Sequence, residues 1–176
     1  QPRGFVSALQ ITIDDIDRAK DGWQIAANFE DLTVDSVRGA PGVAAATGYT
    51  QLSTAGGFVV LDGQSMSLDF PAVFREPLYF DELYGTLHLA WDAGAVTLSS
   101  GLLTTLAEEG SARVKFGLNI PLQADDTGIE MDLLVGLHHT HPVHRIKYIP
   151  YTLDPGLLTW LSDSIGKGDI EQGAFL

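Results

Sequence analysis

Cysteine is absent from all 176 residues, which removes disulfide staples, thiolate metal sites and a thiol nucleophile while leaving the redox compartment open. Basic side chains are scarce: 10 Lys and Arg stand against 23 Asp and Glu, a formal net charge of −13. A surface of that sign repels phosphate backbones and anionic bilayers alike, so neither nucleic acid nor flat electrostatic docking on a membrane is expected. No run approaches the roughly 18 apolar residues of a spanning helix. The first residues, Gln1-Pro2-Arg3-Gly4, carry no initiator Met and no apolar stretch follows them. They read as an excised or processed start, not as a signal peptide. GxSxG, the phosphate-binding loop, and GxGxxG followed by a helix are also missing.

What is present is alternation. Hydrophobic residues make up 45 % of the chain and charged residues 19 %, enough apolar mass for a core, and the dominant period is two. Met66, Leu68 and Phe70 fall on one face of residues 65–70. Leu83, Leu87, Leu89 and Trp91 do so over 83–91, opposite Tyr84, Thr86 and His88. Val114, Phe116, Leu118 and Ile120 face away from Arg113, Lys115 and Asn119, and Ile129, Met131, Leu133, Val135 and Leu137 away from Glu130 and Asp132. These patterns predict strands with one dry and one wet face. Weaker strands fit 5–13, 22–34, 45–52, 57–61, 95–100 and 102–107. Breaks at Asp21-Gly22, Ala55-Gly56-Gly57, Asp62-Gly63, Asp92-Ala93-Gly94, Glu109-Gly110 and Asp125–Gly128 punctuate them as turns. Residues 71–77, with a proline at each end, form a rigid connector.

One stretch has helical spacing. Asp154 suits an N-cap and Pro155 a first turn, while Leu157, Leu158, Leu161 and Ile165 recur along one stripe before Gly166 and Gly168. A short helix over 155–165 is therefore expected, then a strand from about Asp169 that the chain leaves unfinished at Leu176. The fold expected is mainly β: an antiparallel meander forming an elongated curved sheet, with that one helix. Residues 1–176 read as a single segment of a longer protein, without an internal domain boundary.

Few constellations point to chemistry. His138, His139, His141 and His144 crowd seven positions, and His139 and His141 on an extended chain would share a face about 7 Å apart. Pro142 breaks regular structure there and HExxH is missing, so a surface histidine loop is the plainer reading and no metal is expected. Asp14, Asp15, Asp17 and Asp21 resemble a calcium loop, but counting from Asp15 the fifth and sixth positions are Ala19 and Lys20, where the loop requires an oxygen ligand and glycine. Ser164-Ile165-Gly166-Lys167 matches S-x-x-K without the accompanying K-T-G. No cofactor and no catalytic residue is assigned, and the chain is not read as an enzyme.

The order of several short motifs resembles the YhdP branch of the AsmA-like envelope proteins. They are Gly22-Trp23-Gln24, Ala40-Pro41-Gly42-Val43, Gly48, Phe70 to Leu78 (FPAVFREPL), Leu83-Tyr84-Gly85, Leu87 to Trp91 (LHLAW), Tyr148-Ile149-Pro150, Leu158-Thr159-Trp160-Leu161, Ile165-Gly166, Gly168 and Gly173. The resemblance implies a periplasmic stretch of an inner-membrane-anchored protein built of repeating β-groove units. Such proteins are thought to conduct phospholipid between the inner and outer membranes of a Gram-negative envelope. It further implies acyl chains as ligand, neighbouring repeats of the same chain as partners, and membrane contact only through parts absent here. The alternation then nominates Met66, Leu68, Phe70, Leu87, Leu89, Trp91, Val114, Phe116, Leu118, Met131, Leu133 and Val135 as the wall of the groove. A structural envelope module filled by its own side chains is the rival expectation.

Overall fold

The computed structural model describes residues 2–18, 22–37, 40–108, 110–122, 129–140, 145–156, 158–159 and 170–175. Its strands are β1 (Arg3–Ile13), β2 (Trp23–Val34), β3 (Gly42–Ser53), β4 (Gly56–Asp69), β5 (Leu78–Trp91), β6 (Ala95–Ser100), β7 (Leu103–Ala107), β8 (Gly110–Pro121), β9 (Glu130–Thr140) and β10 (Ile170–Phe175). Every pairing between them is antiparallel. β6 and β7 are two lengths of one course between β5 and β8, interrupted at Gly101–Leu102. The sheet is thus an up-and-down meander in chain order, the architecture that alternation separated by short turns predicts.

Two sequence expectations change in detail. Asp62-Gly63 is not a turn, because β4 runs through it as a single strand from Gly56 to Asp69. Gly63 stands there for want of space: a Cβ would come within 2.1 Å of the Met66 sulfur. Of the helix expected over 155–165, residues 155, 156, 158 and 159 are helical. Asp154 Oδ1 accepts from Gly156 N at 2.8 Å, as an N-cap does, and Leu158 N donates to Asp154 O at 3.0 Å. The other positions up to 165 lie outside the described residues. A single turn, α1 (Arg145–Tyr148), precedes it.

A crease crosses the sheet. Asp31 (φ 50°), Ala45 (φ 55°) and Ser65 (φ 55°) adopt left-handed backbone on β2, β3 and β4. The β1–β2 register slips between Arg3 and Phe5, around Gly4, and the β2–β3 register between Phe29 and Leu32. Between Ala44 and Gly48 the β3–β4 register slips as well. Each break inserts a residue out of phase, so the inward alternation steps by three: Phe29 to Leu32, Val43 to Ala46, Gly63 to Met66, Phe80 to Leu83. A bulge of this kind bends a strand and increases its twist. Phe29, Ala46, Met66 and Leu83 fill the crook as one buried cluster, flanked by Leu32, Val43, Val59, Leu61 and Phe80.

The bend folds the lower end of the β4–β5 hairpin back over the inner face. Leu98 pairs with Leu89, eleven residues along β5 from Leu78, the partner of Leu68, or roughly 36 Å in an extended strand. Even so, Phe70 and Val73 of the connector pack in one cluster with Leu98, Phe116, Leu118 and Met131. Hydrogen bonds stitch the fold-back: Ser36 Oγ donates to Asp69 Oδ2 at 2.6 Å, and Tyr151 OH to Pro71 O at 2.8 Å.

Gly85, on β5 opposite the interruption between β6 and β7, has φ 147°, and a Cβ there would stand 2.5 Å from Leu103 Cδ2. Gly85→Val should therefore cost about 1–3 kcal/mol in urea unfolding, whereas Gly117→Ala, whose new Cβ meets nothing nearer than Asp132 Oδ2 at 3.9 Å, should shift stability by less than about 1 kcal/mol. Equal losses would remove the close approach of Leu103 to Gly85 as the cause. Asp92 Oδ1 accepts from Gly94 N at 2.7 Å and Ala95 N at 2.9 Å, and these bonds lower its pKa below the ordinary carboxylate value. The carboxylate form thus stabilises the turn above the unfolded-state pKa, and this contribution is lost as pH falls through the folded one. Asp92→Ala should lower Tm near neutral pH, with the gap to wild type closing in acid.

Candidate functional site

Cross-strand partners share a face, so the register decides which dry faces meet. Ile11 pairs with Ile25, Ile25 with Leu52, Leu52 with Gly57, Gly57 with Leu89, Leu89 with Leu98, Leu98 with Leu118, and Leu118 with Met131. One row of apolar residues therefore runs across eight strands, perpendicular to them, for roughly 34 Å at ~4.8 Å per strand. Parallel rows flank it: Trp91, Val96 and Ile120 on one side, Thr50, Val59 and Leu87 on the other, with Phe116 opposite Leu133 further along. Val114 pairs with Val135 beyond these.

The twelve residues nominated from sequence divide three ways. Leu87, Leu89, Trp91, Val114, Phe116, Met131, Leu133 and Val135 are half-buried on this common inner face. Met66 (2 % exposed) belongs to the crook of the crease, and Leu68 is half-buried opposite Leu78 just below it. Phe70 (4 %) sits on the connector and Leu118 (4 %) beneath it. Sequence reasoning passed over Ile11, Ile13, Trp23, Ile25, Leu52 and Val59, which share the face. The signal was there, since Trp23, Ile25, Ala27 and Phe29 alternate without a break.

No charged side chain stands in the central row, and the polar groups near it are tied to the protein's own backbone. Ser100 Oγ, buried, accepts from Phe116 N at 2.9 Å. Thr105 Oγ1 donates to Ala112 O at 3.4 Å, and the Trp91 indole N–H donates to Thr54 O at 2.8 Å. Charge lies on the other face, where Arg113, Lys115, Glu130 and Asp132 are exposed. A shallow hollow lined by Gln10, Thr12, Gln24, Ile25, Ala26, Tyr49 and Gln51 lies across β1, β2 and β3. The inner face is thus apolar along its central row, open from Ile11 to Leu89 and covered by Phe70 and Val73 at Leu98, Leu118 and Met131.

Two of the four clustered histidines fall on described residues. His138 is half-buried and His139 exposed at φ 51° on β9, while His141 and His144 lie outside the described residues. Among the described residues no group of three or more His, Cys, Asp or Glu could hold a metal ion. Asp15 binds Arg18 at 3.1 Å and caps Asp17 N at 3.0 Å, which accounts for that acidic turn; Asp21, Ser164 and Lys167 lie outside the described residues. No described helix is long and apolar enough to cross a membrane.

No curated protein and no solved structure matches the chain. One family does, the one described as YhdP protein, and the match runs over residues 1–176. The apolar face, the meander and the order of the short motifs are thus properties of a chain that belongs to the YhdP family.

Proposed function

We propose that this chain forms a stretch of apolar conduit along which phospholipid acyl chains move between the inner and outer membranes of a Gram-negative envelope, standing in the periplasm without catalysing a reaction. The observation that carries the reading is the continuous row from Ile11 to Met131. An ordinary sheet core needs only a patch to bury, whereas a conduit needs continuity across strands. Each methylene moved from water onto such a surface gains about 0.8 kcal/mol when fully buried. A half-buried wall recovers part of that, which suits a ligand that must slide rather than stay. Headgroups would remain in water at the open side. Neighbouring β-groove units of the same protein would extend the row, and no cofactor is required.

A second reading has an observation in its favour. Phe70 and Val73 cover Leu98, Leu118 and Met131, as they would in a scaffolding module whose sheet is filled by its own side chains.

Benzoylphenylalanine placed at Leu87 should capture phospholipid on irradiation, and placed at Lys115, on the outer face, it should not. Lipid extracted from the purified chain and measured by mass spectrometry should fall at least about fivefold in Leu52→Asp, because a charge in the row must be desolvated by any chain lying over it. Capture at Lys115 equal to that at Leu87, or the absence of lipid from every preparation, would sink the conduit reading. Untagged protein prepared without nickel should contain substoichiometric metal, and EDTA should leave its lipid content unchanged.

A further inference from the structure

Exposure is not uniform along the row. Ile11 is 57 % exposed and Leu118 only 4 %, although register gives them equivalent places on the same face. Part of the difference is that Ile11 stands on the edge strand β1, exposed throughout; at the other end, the connector 70–77 lies on the row at Leu98, Leu118 and Met131 and covers it. We propose that this connector is a displaceable strap, and that Phe70 and Val73 occupy the place an acyl chain takes when it passes this point. The proposal rests on the conduit reading and adds its regulation.

Three features support a strap over a fixed piece of core. First, Phe70 and Val73 are 4 % and 5 % exposed yet belong to no strand. With Pro71 and Pro77 bounding the segment, it offers few ladder donors, so leaving the face breaks no sheet pairing. Its own bonds are local, from Val73 N and Phe74 N to Phe70 O, both at 2.9 Å, and these can travel with it. Second, among the described residues one supplies its hydrogen bonds from outside the segment. Tyr151 donates its OH to Pro71 O at 2.8 Å and its N–H to Val73 O at 3.0 Å, and Tyr151 is itself 40 % exposed, so water can replace both bonds. Third, the contact with the row is apolar on apolar, and an acyl chain offers Leu118 and Met131 the same kind of surface that Phe70 and Val73 give up. Leu118 is too nearly buried for a chain to lie between it and the strap. In the state described, the strap stands in place of a ligand and not over one.

The test compares capture under the strap with capture outside it. The 176-residue chain carrying benzoylphenylalanine at Phe116, and separately at Leu87, is incubated with dioleoylphosphatidylcholine vesicles, irradiated, and its lipid adducts are counted by mass spectrometry. In the wild-type background Leu87 should capture lipid and Phe116 little. Tyr151→Phe should raise capture at Phe116 about fivefold, the population change that one lost hydrogen bond brings, and leave Leu87 unchanged. The pair Phe70→Ala with Val73→Ala should raise it further, with far-UV circular dichroism confirming the sheet is retained. Equal capture at both positions in wild type, or a Phe116 yield that neither variant moves while Leu87 still captures lipid, overturns the strap and leaves the conduit standing. No capture at either position in any background overturns both.

Discussion

Antiparallel ladders couple neighbouring strands residue by residue, and that coupling governs the shape of this molecule. A strand cannot bend alone, because a kink out of step with its neighbours strands backbone N–H and C=O groups that water cannot reach. The crease therefore has to recur at one level on successive strands: Gly4 in β1, Asp31 in β2, Ala45 in β3 and Ser65 in β4. Left-handed backbone at three residues with side chains costs on the order of 1 kcal/mol or more at each. What offsets it is the crook, where Phe29, Ala46, Met66 and Leu83 lose nearly all their contact with water, each of the larger side chains contributing about 1.5–3 kcal/mol. Long bonds from Asp31 N to Thr47 Oγ1 and from Ala45 N to Thr33 Oγ1, both 3.4 Å, give hydroxyl partners to donors beside the irregular steps.

From that bend follows the division of the inner face. Above the crease the sheet leaves Ile11 and Ile13 exposed and Ile25, Leu52 and Leu89 half-buried. Below it the hairpin returns and lays its connector on Leu98 and Leu118. A flat meander with the same sequence would present one unbroken apolar surface to water, which invites aggregation. Folding part of the sheet over itself shields one length and leaves another open, and the same geometry makes the strap possible.

Long, regular strands were legible in the sequence because their alternation is unbroken: β8 from Val114 to Ile120 and β9 from Met131 to Leu137 obey a period of two throughout. β4 was not, because the three-residue step from Gly63 to Met66 looks like the end of one strand and the start of another, and Asp62-Gly63 has the composition of a hairpin turn. Nothing local tells a bulge from a turn there; the difference lies in whether β3 and β5 continue alongside. The connector was recognisable as rigid from Pro71 and Pro77, but its resting place on Leu118 depends on the sum of the bends in β4 and β5, which no window of sequence contains. The edge contribution of Ile11 and Ile25 was visible as alternation, but in strands whose pattern is weaker than that of β8 and β9. Most of the helix over 155–165 cannot be compared, since only four of its residues are described.

The balance of forces on an acyl chain explains why a conduit would carry a strap at all. A chain that leaves a bilayer is already out of water there, so the groove must match that environment, and each methylene left wet costs about 0.8 kcal/mol. An empty groove has the same cost in reverse: its own wall is wet whenever no lipid is present. Phe70 and Val73 remove that cost at Leu98, Leu118 and Met131 by covering them, and under the proposed function an arriving chain would repeat the same burial as they leave. Such an exchange would be close to neutral for the apolar surface on both sides, leaving the pair of hydrogen bonds from Tyr151 to set the direction of the balance. Two bonds at a solvent-exposed residue, at about 0.5–1.5 kcal/mol each, are small beside the burial they control. That ratio is what separates a switchable cover from a core.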